Sequence, residues 1–205
     1  MSEGADADGI EVREARNADI PAIRSVAQTT WNHTYRNSIP KRVREEFLGH
    51  AYSAASLRNR IASNVFLVAL KKGSIIGFAD FRLLSETDVE LAAIYVLPKV
   101  QSQGVGGRLV AAGIARFAAG MRFVLHVERD NASAQRFYLA RGFKRFRGRA
   151  SLRNGSSGTS STTSRCRSTP DPSRPAGGPA SPGQQLFATV SNSLVTVRKT
   201  GRQNP

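Results

Sequence analysis

Cysteine is almost missing from this sequence: Cys166 stands alone among 205 residues, which excludes an intramolecular disulfide framework. Long apolar runs are missing too. Nothing approaches the roughly 20 consecutive apolar residues of a membrane-spanning helix, so no membrane partner is expected. The opening MSEGADADG is acidic and polar, where an export signal would be basic and apolar, and the expectation is a cytoplasmic protein. Acidic residues are scarce, 15 against 30 Lys and Arg, for a formal charge of +15. Such an excess raises the question of a nucleic-acid partner, but its distribution argues against one. Residues 1–150 carry 23 basic and 14 acidic side chains, and residues 151–205 carry 7 and 1. The densest run, Lys144-Arg145-Phe146-Arg147-Gly148-Arg149, is short of a binding arm. A basic solvated surface that also attracts an anionic ligand is the plainer reading.

What the chain does have is a strand, a glycine-rich turn and a helix in immediate succession, LAAIYVLPKVQSQGVGGRL at 91–109. An apolar strand over Glu90–Val96 breaks at Pro98, a loop covers Lys99–Gly104, and helical apolar spacing runs over 105–119. Glycines 104, 106 and 107 let the backbone turn sharply and approach a ligand closely, and the first N–H groups of the new helix lack internal partners. That combination suits an anion, to which Arg108 adds a charge. A dinucleotide fingerprint GxGxxG is absent, because position 109 is Leu109, and GxxxxGK[ST] is absent as well.

Elsewhere the pattern alternates between elements. Ile10–Ala15 reads as a half-buried strand. Asn17 or Asp19 caps a helix with Ile20, Ile23, Val26, Ala27 and Trp31 on one face, Pro21 in its first turn and an end near Tyr35. Lys41–Ala51 and Ala55–Ala62 read as short helices, the first with Val43, Phe47 and Leu48 as its apolar face. Val65–Leu70 and Ile75–Leu84 form a hairpin about Lys71–Ser74, with Gly77 marking a bulge or close approach. Val89–Leu97 is the next strand, Met121–Val127 another, and helical spacing over 132–141 is closed by Gly142. Glu128 and Asp130 read as solvated loop charges.

The Q-x-x-G-x-G run Gln101–Gly106 after an apolar strand, followed downstream by VERDNASAQRFYLARGF, resembles the GNAT superfamily of acetyl-CoA-dependent N-acetyltransferases over about residues 10–147. The resemblance implies a mixed, mostly antiparallel central sheet flanked by helices, an α+β arrangement in which the signature strand and its successor splay apart. It implies acetyl-CoA as acyl donor and an amine as acceptor, with no metal. By this resemblance the backbone of Ile94, Tyr95 and Val96 pairs with the pantetheine amides, and Gln101, Ser102, Gln103, Gly104, Val105, Gly106, Gly107 and Arg108 hold the pyrophosphate. Asn131 matches a pantetheine-contacting asparagine, and Tyr138 a tyrosine beside the thioester sulfur that assists the departing thiolate. Glu90 and His126 are the general-base candidates, and Trp31 and Tyr35 the acceptor-contact candidates. His33 is a weaker base candidate. The alternative function is a GNAT-like module that binds acetyl-CoA with impaired or no turnover. A homodimer is left open.

Composition marks 1–9 as a disordered start and 151–205 as a low-complexity basic tail, and the resemblance makes 10–150 the acetyltransferase domain. From Asn154 to Gly183, 22 of 30 residues are Ser, Thr, Pro or Gly, too little apolar surface to offset chain entropy. Only Gln185–Lys199 regains strand character. Three accounts stand for this tail: a shifted reading frame near residues 148–152, a natural disordered extension, and a late hairpin that rejoins the sheet.

Overall fold

The computed structural model describes residues 9–129, 131–146 and 194–200. The elements are β1 (Ile10–Glu14), α1 (Ile20–Tyr35), α2 (Lys41–Ala51), α3 (Ala54–Ser63), β2 (Val65–Lys71), β3 (Ser74–Leu83), β4 (Asp88–Val96), α4 (Val105–Ile114), β5 (Arg122–Glu128), α5 (Ala132–Leu139), β6 (Lys144–Phe146) and β7 (Leu194–Thr200). Seven strands form one sheet in the order β1-β2-β3-β4-β5-β7-β6. All neighbours are antiparallel except β4 and β5, as the mixed, mostly antiparallel expectation requires. No helix among the described residues is long and apolar enough to cross a membrane.

The strand alternation seen in the sequence sorts apolar side chains onto the two faces. Leu67, Ala69, Ala79, Phe81, Leu91, Phe123, Leu125 and Val127 pack with α4 and α5 through Val105, Leu109 and Tyr138. Phe66, Val68, Leu70, Phe78 and Ala93 pack with α1 and α3 through Ile20, Ile23, Val26 and Leu57. The β2–β3 turn places Lys72 and Gly73 at φ 51° and 75°, the conformation a two-residue hairpin requires. Gly77 is a close approach, since a Cβ there would meet the Tyr95 carbonyl oxygen at 2.8 Å, and the register shift between Ala69 and Leu70 falls opposite it.

Several expectations shift. Asp19 stands at the N-cap of α1 without capping it; its carboxylate instead takes both guanidinium nitrogens of Arg13, at 2.7 and 2.9 Å. The α4 helix stops at Ile114, not 119, as Arg116 and Phe117 bond back three residues and tighten the last turn. On α2 the buried residue is Arg44, which gathers the carbonyls of Tyr35, Arg36 and Ile39 and the Asn32 side chain. The largest difference is β7. It lies inside the segment read as a tail, yet pairs with β5 along all seven residues and with all of β6. The sheet therefore continues past residue 151, as the late return to the sheet anticipates. The first arm of that hairpin, the low-complexity run, and the frame-shift and disorder readings of it lie outside the described residues, as do residues 1–8.

Gly113 seats α4 on the sheet. An added Cβ would lie 2.0 Å from the Phe81 ring, and Phe81 is itself buried in the core. Alanine gains about 1 kcal/mol over glycine in a helix, but overpacking a filled core costs about 1–3 kcal/mol or more. Gly113→Ala is therefore expected to be destabilising on balance, read as a lower urea midpoint with an unchanged slope.

Candidate active site

Three residue pairs join β4 to β5, ending at Glu90 opposite Val124. Beyond them the strands part. The cause is local: between Leu91 and Ala93 the β4 register against β3 slips by one residue, leaving Ala92 extra, and such a bulge bends and twists its strand. The edge of β4 from Leu91 to Val96 then faces an open cleft of about 1450 Å³. Backbone polar groups on such an edge are a template for an added extended chain.

At one mouth of the cleft the chain passes Ser102, at φ 63°, and Gly104, at φ 80°, before entering α4. Gly104 is the α4 N-cap in the left-handed region, which glycine adopts without the Cβ penalty. The unsatisfied N–H groups of the first turn favour an anion there. Ile94, Tyr95, Val96, Gln101, Ser102, Gly104, Val105, Gly106, Gly107 and Asn131 all line the cleft, as do Trp31, Tyr35, Glu90, His126 and Tyr138. Two members of the expected set turn elsewhere. The Gln103 side chain bonds Lys71 Nζ and the Lys99 carbonyl, and Arg108 reaches the Ile10 carbonyl at 3.4 Å; neither lines the cleft. The cation beside the glycine turn is Arg141, which the sequence reading left out. Its guanidinium lies over the Phe137 ring at 3.7 Å and bonds the Phe137 carbonyl, and a Cβ on Gly107 would meet Arg141 Nη2 at 2.7 Å.

Two side chains in the set also hold the fold. Gln101 Nε2 donates to the Val96 carbonyl at 3.0 Å, tying the loop to the end of β4. Asn131 Oδ1 caps α5 by accepting from Ala134 N at 2.9 Å, which leaves its amide N–H groups for other partners. Gln135 is buried and was not anticipated. It donates to the carbonyls of Glu128 and Arg129 and accepts from Arg145, fixing the end of β5 against α5 and β6.

The other mouth is aromatic and acidic. Trp31 stacks on Phe47 and leans on Tyr35, ring centroids 4.2 and 4.7 Å apart. Glu90 pairs with Arg82 at 2.6 Å and lies 3.9 Å from His126 Nε2. Glu128, read from sequence as a solvated loop charge, instead ends β5 and lines the cleft, as does Tyr35. His33 is exposed and lies outside the lining. Asp130 lies outside the described residues. No group of three or more His, Cys, Asp or Glu among the described residues could hold a metal ion.

Tyr138 approaches from α5, edge-on to Phe137 and Phe143. Burial first, then neighbouring Tyr95, push its phenol well above the ordinary range. Burial does the same to Tyr52, and burial with Glu128 does so to Tyr35.

A sequence profile of the acetyltransferase (GNAT) family matches residues 25–143. The chain is similar to spermidine N(1)-acetyltransferase of Thermoplasma acidophilum, 27% identical over 143 residues that cover 66% of this chain and 88% of that protein. It is 37% identical over 108 residues to the uncharacterized N-acetyltransferase YuaI of Bacillus subtilis, covering 51% of this chain and 62% of YuaI. Among solved structures, the PaiA N-acetyltransferase of Thermoplasma acidophilum in complex with coenzyme A superimposes with a TM-score of 0.63 at 25% identity, covering 69% of this chain and 94% of that one. Ard1 of Thermoplasma volcanium shares the fold, with a TM-score of 0.58, 20% identity and coverage of 95% and 99%.

The raised phenols carry a stability signature. A tyrosine whose native pKa lies above its unfolded value of about 10 stabilises the fold fully below that pH, and the contribution is lost as pH rises through the native value. Unfolding free energy should therefore fall above about pH 10, by about 1.4 kcal/mol per pH unit for each buried phenol. Chemical unfolding between pH 8 and 11 checks this, and Tyr138→Phe should give a shallower decline.

Proposed function

The chain belongs to the GNAT acetyltransferase family, and from that premise we propose that it transfers the acetyl group of acetyl-CoA to a primary amine of a small cationic molecule by direct attack. The observation that carries the reading is the parting of β4 and β5 after Glu90, with an anion-binding helix terminus at one mouth and carboxylates at the other. The site fits the donor. An open strand edge suits an amide-bearing extended arm, and glycine at 106 and 107 lets the first turn of α4 sit close to Phe137 and Arg141, where a side chain would press into them. Ile94 and Tyr95 offer the edge, while the Val96 carbonyl already accepts one bond from Gln101. The turn from Ser102 to Gly107 and Arg141 offer N–H donors to phosphate.

Acetyl-CoA supplies an activated thioester; the chain supplies position and proton handling. The acceptor nitrogen must be neutral to attack, and Glu90 and His126 together can receive its proton through a water. As the new N–C bond forms and the C–S bond breaks, the sulfur takes the bonding pair. Tyr138, protonated at every working pH by its raised pKa, donates to that sulfur. A phenol held this high is a weaker acid than the thiol it faces, so its contribution is a hydrogen bond in the transition state more than a completed proton transfer.

The acceptor class rests on the other mouth. Glu90 and Glu128 offer negative charge to a second ammonium group while Trp31 and Tyr35 cover an aliphatic stem. A relative named for spermidine acetylation favours the same class. Thiol release measured over monoamines, diamines and polyamines tests this; release with polyamines is expected, and none with any amine overturns the reading. Tyr138→Phe should lower kcat by about 10²-fold with little change in acetyl-CoA affinity. Glu128→Gln should raise KM for a diamine or polyamine by about 10-fold, as expected for a lost charge-assisted contact, leaving KM for acetyl-CoA unmoved.

A further inference from the structure

Tyr95 lines the cleft, and its surroundings limit what its hydroxyl can do. It projects from β4 just past the bulge and packs edge-on to Tyr52, centroids 6.0 Å apart, and against Phe78 at 5.3 Å. Trp31 Nε1 donates to Tyr95 Oη at 2.9 Å. An indole N–H has no acceptor capacity, so that bond runs one way and leaves the Tyr95 O–H to be given elsewhere. The ring is held from the other side. Asp80 is buried on β3 and holds Arg60 Nε at 2.8 Å and Asn64 Nδ2 at 2.8 Å. Arg60 also reaches the Ala51 carbonyl and lies over the Tyr52 ring, 5.1 Å from its centroid, which backs the ring that packs on Tyr95.

We propose that the Tyr95 O–H is donated into the cleft, to the carbonyl oxygen of the acetyl group, where it stabilises the charge that develops as the amine attacks. This rests on the acetyl-transfer reading given above. The C=O pair moves onto oxygen as the N–C bond forms and returns as the C–S bond breaks. Tyr95 gives a hydrogen bond throughout and neither gains nor loses a proton. Placement supports the role, since Tyr95 lines the same cleft as Tyr138. A donor whose oxygen is held by Trp31 and whose ring is packed by Tyr52 and Phe78 does not have to reorient when charge appears, which is the condition under which such donors are effective.

The test pairs turnover with binding. Removing one preset donor of this kind lowers kcat by about 10²–10³-fold, and Tyr95→Phe is expected to fall in that range. Calorimetry then compares acetyl-CoA with S-ethyl-CoA, which lacks the carbonyl oxygen. Tyr95→Phe should weaken acetyl-CoA by about fivefold, the scale of one neutral hydrogen bond, and leave S-ethyl-CoA unchanged. If Tyr95→Phe fails to fold, Trp31→Phe, which leaves Tyr95 in place and removes the donor that holds its oxygen, should show the same loss of discrimination to a smaller degree. An unchanged kcat, or an unchanged ratio of the two affinities, overturns the proposal. Should the wild-type chain acetylate no amine, the functional reading fails separately, and the affinity ratio still decides the role of Tyr95.

Discussion

Every functional feature of this fold depends on where β4 and β5 stop pairing. Three parallel residue pairs hold the strands at one end, and the extra residue at Ala92 turns β4 away. Parting costs backbone hydrogen bonds, and buried N–H and C=O groups must find partners elsewhere. On β4 one edge is still satisfied by β3; on β5 the opposite edge is satisfied by β7 along its whole length. Both strands are therefore held from outside while the gap between them stays open. An extended ligand of the kind proposed above would complete the sheet where the protein leaves it incomplete, and its binding would at the same time satisfy the open backbone edge.

The two faces of the sheet divide the remaining work. The face under α4 and α5 is apolar and tightly filled, with Gly113 in contact distance of Phe81 and Gly106 of Phe137. That face sets the height of the α4 terminus above the sheet. The face under α1 and α3 contains buried charge, Arg60 with Asp80 and Arg44 with the carbonyls that end α1. Buried ions contribute little net stability unless their remaining donors and acceptors are met. Here they are met by several partners each, and their value is geometric. Arg44 fixes the turn after Tyr35, while Arg60 and Asp80 tie α3 to β3 and back the Tyr52 ring that packs on Tyr95.

Much of the fold was legible in the sequence because the signals were local. Strand alternation in 65–83, the turn at Lys72-Gly73 and the close of the 132–141 helix at Gly142 each depend on residues within one or two turns of chain. Glycines 104, 106 and 107 announced the anion site for the same reason. What was not legible is which way polar side chains turn, because that is decided by distant partners. Arg108 was the nearest cation to the glycine turn in sequence, yet it reaches Ile10, and Arg141 takes its place from 33 positions further on. Glu128 looked solvated because its neighbours are polar, but β5 carries it to the wall of the cleft that Tyr35 also lines. Gln135 and Arg44 gave no sign, since neither type is usually buried. β7 was readable as a strand in isolation, but its place between β5 and β6 was not.

The charge of the whole chain and the charge of the acceptor mouth act at different ranges. A formal +15 favours the approach of a polyanionic donor and opposes that of a cationic acceptor. At physiological ionic strength, however, exposed charges more than about 8 Å apart are largely screened. The acceptor therefore responds to what lines the cleft itself, and there Arg82 is already committed to Glu90 and Arg60 to Asp80. The long-range field of a strongly basic protein and the short-range field inside its cleft are in this way set by different residues.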